Sequence, residues 1–163
     1  MPAWIPRELN EIADFMSKYN DTDSWGIDFE TFEFIQAKYG QFTIDRFADN
    51  TNRKTKNFNS KFYCPDSMGV IAFTFNWSGH FNWLCPPISL IGEVIIIHMR
   101  LCKARGVLFV PKWESSYFWP LLTKDEVLFL DFVIDFLLLD SFYVNYSQSR
   151  STFEGFTNFL SVA

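Results

Sequence analysis

The chain is short of cysteine, histidine and basic charge, and it has no long uninterrupted apolar run. Its three cysteines, Cys64, Cys85 and Cys102, are odd in number and widely spaced, which excludes a disulfide framework and a Cys-x-x-Cys metal pair. A reducing, intracellular setting, cytoplasm or nucleus, is the expectation that follows. The two histidines, His80 and His98, have no companion ligands at metal-binding spacing, so no metal site is expected from them. Fourteen Lys and Arg against nineteen Asp and Glu give a formal net charge of -5. Bulk electrostatic attraction to nucleic acid is thereby excluded, and any such contact has to be local. The opening Met1-Pro2-Ala3-Trp4-Ile5-Pro6-Arg7 lacks the apolar core of a secretory signal. The longest apolar stretch, Val127 to Leu139, is interrupted by Asp131 and Asp135 and is shorter than the ~20 residues of a membrane span. It reads as a buried core element, and no membrane contact is expected.

What is there is a chain of 163 residues, 48% hydrophobic and 20% aromatic with 20 Phe, enough to bury a core in one domain. Leu9, Ile12, Ala13 and Met16 recur at helical spacing over residues 7–17, and Tyr19 to Ser24 is a polar linker. A helix is expected from Asp28 as N-cap to Gly40, with Phe29, Phe32 and Ile35 as its apolar stripe. Short strands are expected at 42–45 and 80–84, with a turn at Ser78-Gly79 between Val70 and Leu84. The Pro86-Pro87 step ends the second strand, because proline cannot donate to a sheet ladder.

A helix over 90–104 follows, with Ser89 as N-cap, Lys103 and Arg105 at its carboxyl end and Gly106 just beyond. Val107 to Val110, closed by Pro111, reads as a buried strand. Strand, helix and strand with short connections predict an α/β fold with a mostly parallel sheet and flanking helices. In such sheets chemistry sits at the carboxyl ends of strands, which singles out the Pro-Pro corner. Residues 125–139 are open between helix and strand, and Ser141 to Ala163 yields no assignment.

Two resemblances sharpen this. Trp4-Ile5-Pro6-Arg7-Glu8-Leu9-Asn10-Glu11-Ile12-Ala13-Asp14 resembles the last motif of the ribonuclease H domain of retroelement polymerases. By that resemblance Asp14 is one of four carboxylates that hold two Mg²⁺ ions, with Trp4 where many members carry His. The other three carboxylates would lie upstream, so no nuclease activity is expected from this chain. The second resemblance runs from about Trp25 to Leu122. Tyr39-Gly40-Gln41-Phe42-Thr43-Ile44-Asp45-Arg46-Phe47-Ala48, Asn57 to Tyr63, Ala72 to Gly79, Leu84 to Ile88 and Gly106 to Leu122 match in order. Together they resemble the phage-type Dam family of DNA N6-adenine methyltransferases, in the divergent form of DIRS-type tyrosine-recombinase retrotransposons.

The resemblance implies a methyltransferase-like, Rossmann-type open sheet as a single domain. It divides the chain into 1–24, a helical ribonuclease H remnant plus linker; 25–140, the methyltransferase-like domain; and 141–163, a tail. It further implies an upstream reverse transcriptase and ribonuclease H region of the same polyprotein as a partner. S-adenosylmethionine would be the methyl donor, with Asp45, Phe47 and Ala48 at its site. No Gly-rich loop follows Asp45. In the family, an Asp or Asn and a proline carbonyl accept the two N6 hydrogens of a flipped adenine, and a Tyr stacks on it. The loop Cys85-Pro86-Pro87-Ile88 departs at both reactive positions.

A thiol is a weak acceptor. The missing acceptor is expected to raise the barrier by ~3–4 kcal/mol and the missing aromatic platform to cost ~1–3 kcal/mol. Together these are a roughly 10³–10⁵-fold slower reaction. The expectation is a degenerate, inactive methyltransferase-like domain that retains nucleic-acid or nucleotide binding. The alternatives are an active S-adenosylmethionine-dependent DNA adenine methyltransferase with a relocated acceptor, and an interaction module with no ligand. DNA or RNA contacts would fall on Arg53, Lys54, Lys56 and Lys61 for phosphates, with Phe58, Tyr63 or Trp77 beside the bases.

Overall fold

A computed structural model describes residues 25–125, 128–140, 144–146 and 158–162. The expected helix over 7–17 and Asp14 lie outside them. Strand β1 (Trp25–Ile27) leads into helix α1 (Phe29–Tyr39). Asp28 caps α1 by accepting the Thr31 N–H at 2.6 Å, and Gly40, at φ 112, ends it, as the cap residues predict. Phe32 and Ile35 are buried, whereas Phe29, expected in the same stripe, is 55% exposed because it occupies the first helical position.

Strands β2 (Ile44–Asp45), β3 (Asn59–Ser60), β4 (Gly69–Val70), β5 (Phe81–Leu84), β6 (Arg105–Pro111), β7 (Phe136–Asp140), β8 (Val144–Tyr146) and β9 (Asn158–Val162) complete the strand set described. Five of them form one sheet in the order β2-β5-β6-β9-β7. β2, β5 and β6 are parallel, while β9 runs against both β6 and β7. The expectation of a mostly parallel sheet therefore holds on one side of β6 and gives way on the other. Small sheets β1-β8, antiparallel, and β3-β4, parallel, flank it. The stretch with no sequence assignment supplies β8 and β9, and the open stretch 125–139 supplies much of β7.

Residues alternate across the sheet. Val107 and Phe109 join Trp83, Phe32 and Ile35 in one core, and Leu108 and Val110 join Leu84, Ile91, Val94 and Trp77 in another. Both faces of β6 are covered, which is why its sequence is apolar without a period.

The expected helix over 90–104 is different in kind. A 3₁₀ turn (Ile88–Leu90) passes into helix α2 (Ile91–Glu93), which continues as a π-helix (Val94–Leu101). Ser89 lies inside the turn and makes no cap bond. The chain reverses at Lys103, φ 50, and not at Gly106, which is already within β6. Gly106 is needed for another reason: a Cβ there would lie 2.5 Å from the Asn82 carbonyl oxygen on the paired strand.

Candidate functional site

β2 and β5 end side by side against β6, with Asp45 paired to Trp83 and Leu84 to Leu108, while β6 runs on to Pro111. Asp45 and the Cys85-Pro86-Pro87-Ile88 corner thus meet at the carboxyl edge of the parallel strands, as the sequence predicts. Pro87 is extended (φ -49, ψ 145), and its carbonyl accepts the Leu90 N–H at 2.9 Å to start the turn.

The corner is occupied from within the chain. The Trp25 Nε1–H donates to the Pro86 carbonyl at 2.9 Å, in a buried position. The Cys85 thiol donates to the Trp25 carbonyl at 3.6 Å. The Trp25 ring stacks on Phe109 with centroids 5.0 Å apart and is 9% exposed. Burial pushes the Cys85 thiol far up from its ordinary range, and the nearby Asp45 carboxylate adds to this, so it stays protonated. Ile88 packs against both cores, and its carbonyl accepts the Tyr117 hydroxyl at 2.8 Å.

Asp45 is 2% exposed. One carboxylate oxygen accepts the Phe47 N–H at 3.3 Å and the other the Lys54 N–H at 3.0 Å, so it ties down the loop that follows β2. Burial raises its pKa to about 6, against the smaller lowering effect of those bonds. Phe47 is edge-on to Phe73 and Trp77. Ala48 is buried, and its N–H donates to the Asn59 carbonyl at 3.1 Å. Both serve packing.

Arg46 is a residue that no sequence motif singles out, and it is 3% exposed. Its Nε donates to Asn82 Oδ1 and a terminal nitrogen to Asn59 Oδ1, each at 2.8 Å, and its guanidinium lies 5.4 Å from the Trp77 ring centre. Burial lowers its pKa to about 10, so it remains charged at neutral pH. The signal available was Asn82, an amide inside the apolar strand Phe81-Asn82-Trp83-Leu84. A buried amide demands partners.

The expected nucleic-acid residues divide. Arg53, Lys56 and Lys61 are exposed, and the Lys54 side chain is half-buried. Arg53 lies over the Phe58 ring at 5.2 Å and Lys61 over Phe62 at 5.5 Å. Phe58 and Trp77 are fully buried, and Trp77 Nε1–H donates to the Ala72 carbonyl at 2.9 Å. Neither can meet a base, because each fills the core; Phe62 and Tyr63 are the exposed aromatics of this segment. Among the described residues no cluster of three His, Cys, Asp or Glu could hold a metal ion, and no helix is long and apolar enough to cross a membrane. Cavities of about 440 Å³ and about 240 Å³ lie by Lys112–Ser116 after β6 and by Tyr39, Phe81 and Arg105 at the amino ends of the strands. Neither is lined by the proline corner.

Parallel strands that end in a buried acid and a double-proline corner are consistent with a protein of the methyltransferase-like α/β class. A family model described as DNA N-6-adenine-methyltransferase (Dam) matches residues 16–157, most of the chain. The chain belongs to the Dam family. The match begins before Trp25 and continues past Asp140, so it is wider than the 25–140 domain expected from sequence. No curated protein and no solved structure matches the chain.

Proposed function

We propose that this chain is a Dam-family domain with a methyltransferase-type open sheet that no longer transfers methyl groups and keeps a nucleic-acid-binding role. The observation that carries the proposal is the Trp25 Nε1–H···O=C Pro86 bond at 2.9 Å. In a working site that carbonyl faces the amine of the flipped adenine; here an indole holds it. The second acceptor is replaced by a protonated thiol that itself donates to Trp25. Ile88 offers no aromatic face. An adenine amine brought to this corner meets neither acceptor and no stacking platform.

The family's donor is S-adenosylmethionine. The residues at its expected place fit it poorly: Asp45 is buried and engaged with its own loop, and Phe47 and Ala48 pack inward. Transfer of labelled methyl to adenine-containing single- and double-stranded DNA tests the proposal. Incorporation is expected to equal that of a Pro86→Ala control; incorporation clearly above it refutes the loss of activity.

We also propose the retroelement context, on the motif from Trp4 to Asp14 lying directly ahead of the methyltransferase-like region. Mass spectrometry is expected to find its peptides in a polypeptide that also carries reverse transcriptase peptides. Detection only in a polypeptide without them counts against it.

A further inference from the structure

The cavity of about 240 Å³ at the amino ends of β5 and β6 lies on the opposite edge of the sheet from the proline corner. Lys38 and Tyr39 line it from the end of α1, Phe81 from β5, Arg105 from β6, and Ile134 and Asp135 from the segment ahead of β7. Two of these groups are left unmet by the chain's own bonding. The Tyr39 hydroxyl oxygen is buried and makes no hydrogen bond. Burial raises its pKa, so it stays protonated and able to donate. A buried hydroxyl without a partner is a cost that folded chains seldom carry unless something else meets it. The Arg105 guanidinium lies over the Phe81 ring, 4.8 Å from its centre, and among the described residues has no carboxylate partner. Lys38, by contrast, is already paired with Asp135 at 2.7 Å. Lys38 and Arg105 against Asp135 leave one positive charge on the lining, between the apolar walls of Phe81 and Ile134.

We propose that this cavity binds the carboxylate of a small monoanion with an apolar body. The Arg105 guanidinium takes the carboxylate oxygens, the Tyr39 hydroxyl donates to one of them, and the body rests against Phe81 and Ile134. This site goes beyond the proposed function and depends on neither the loss of methyl transfer nor nucleic-acid binding. A guanidinium presents paired N–H donors that match the two oxygens of a carboxylate. The volume lies below the roughly 300–1,000 Å³ of sites for drug-sized ligands, which calls for a small molecule. A dianion such as phosphate fits less well, because the lining has one surplus charge and the second could be met only if Lys38 left Asp135.

Amide NMR of the full chain, titrated with benzoate at low ionic strength, tests this through the Phe81 and Gly106 signals. Saturable shifts are expected, with a dissociation constant of about 1 mM. Arg105→Gln is expected to weaken benzoate binding about 10-fold or more with an unchanged melting temperature. Tyr39→Phe is expected to weaken it about 5-fold and, in the free chain, to leave the melting temperature unchanged or raise it, because an unmet hydroxyl is removed. Absence of saturable shifts, or binding that ignores Arg105→Gln, overturns the inference. A lower melting temperature for Tyr39→Phe would show the hydroxyl bonded within the chain and overturns it as well. Tighter binding of inorganic phosphate than of benzoate overturns the assignment to a monocarboxylate.

Discussion

A thiol and a carboxylate at adjacent strand ends, Cys85 and Asp45, set the chemical character of the corner. Both are pushed toward their neutral forms by burial, Asp45 to a pKa of about 6 from an ordinary 3.8. The folded state therefore holds the Asp45 proton more tightly than the unfolded chain does. Its contribution to stability is fully present below about pH 4 and is lost as pH rises through 6. The free-energy difference between the natural chain and Asp45→Asn is expected to shift against the natural chain by about 2 kcal/mol between pH 4 and pH 7. Urea denaturation at the two pH values measures it, and a difference that does not change with pH contradicts the burial argument. The buried Arg46 has the opposite charge and a different task. It joins the side-chain oxygens of Asn59 on β3 and Asn82 on β5, so it links the sheet that bears the corner to the small β3-β4 sheet.

Among the elements, legibility followed the range of the signal. α1 could be read because its stop and start are local: Asp28 caps through its own side chain, and Gly40 adopts a conformation few other residues reach. β5 and β6 could be read from a proline stop and a β-branched apolar run. The segment after the corner could be read as helical but not as a π-helix. Four β-branched residues in a row, Val94 to Ile97, fit an ordinary helix poorly, and propensity alone does not say which helix replaces it. Gly106 invited a helix-end assignment on sequence, whereas its role is set by the Asn82 backbone on the neighbouring strand. β8 and β9 were illegible because their partners are remote: Val144–Tyr146 pairs with Trp25–Ile27, and β9 pairs with β6 and β7. At the site, the Pro-Pro corner and Asp45 were legible as strand-end features. The engagement of Pro86 by Trp25 was not, since 61 residues separate the two and no local pattern links them.

At the level of the molecule, that long-range contact is the organising fact. β8 pairs with β1 and so helps fix Trp25, whose ring stacks on β6 through Phe109 and whose indole reaches the end of β5. The strand end that carries the proline corner is thereby built into the packing. Opening it requires Trp25 to leave Phe109 and release the Pro86 carbonyl together. Hydrogen exchange at the Trp25 indole N–H, assigned among the six tryptophans by its absence in Trp25→Phe, tests this most directly. The closed corner predicts exchange slowed roughly a thousandfold relative to an exposed indole. Exchange at the exposed rate would show the Pro86 carbonyl free and contradict the account.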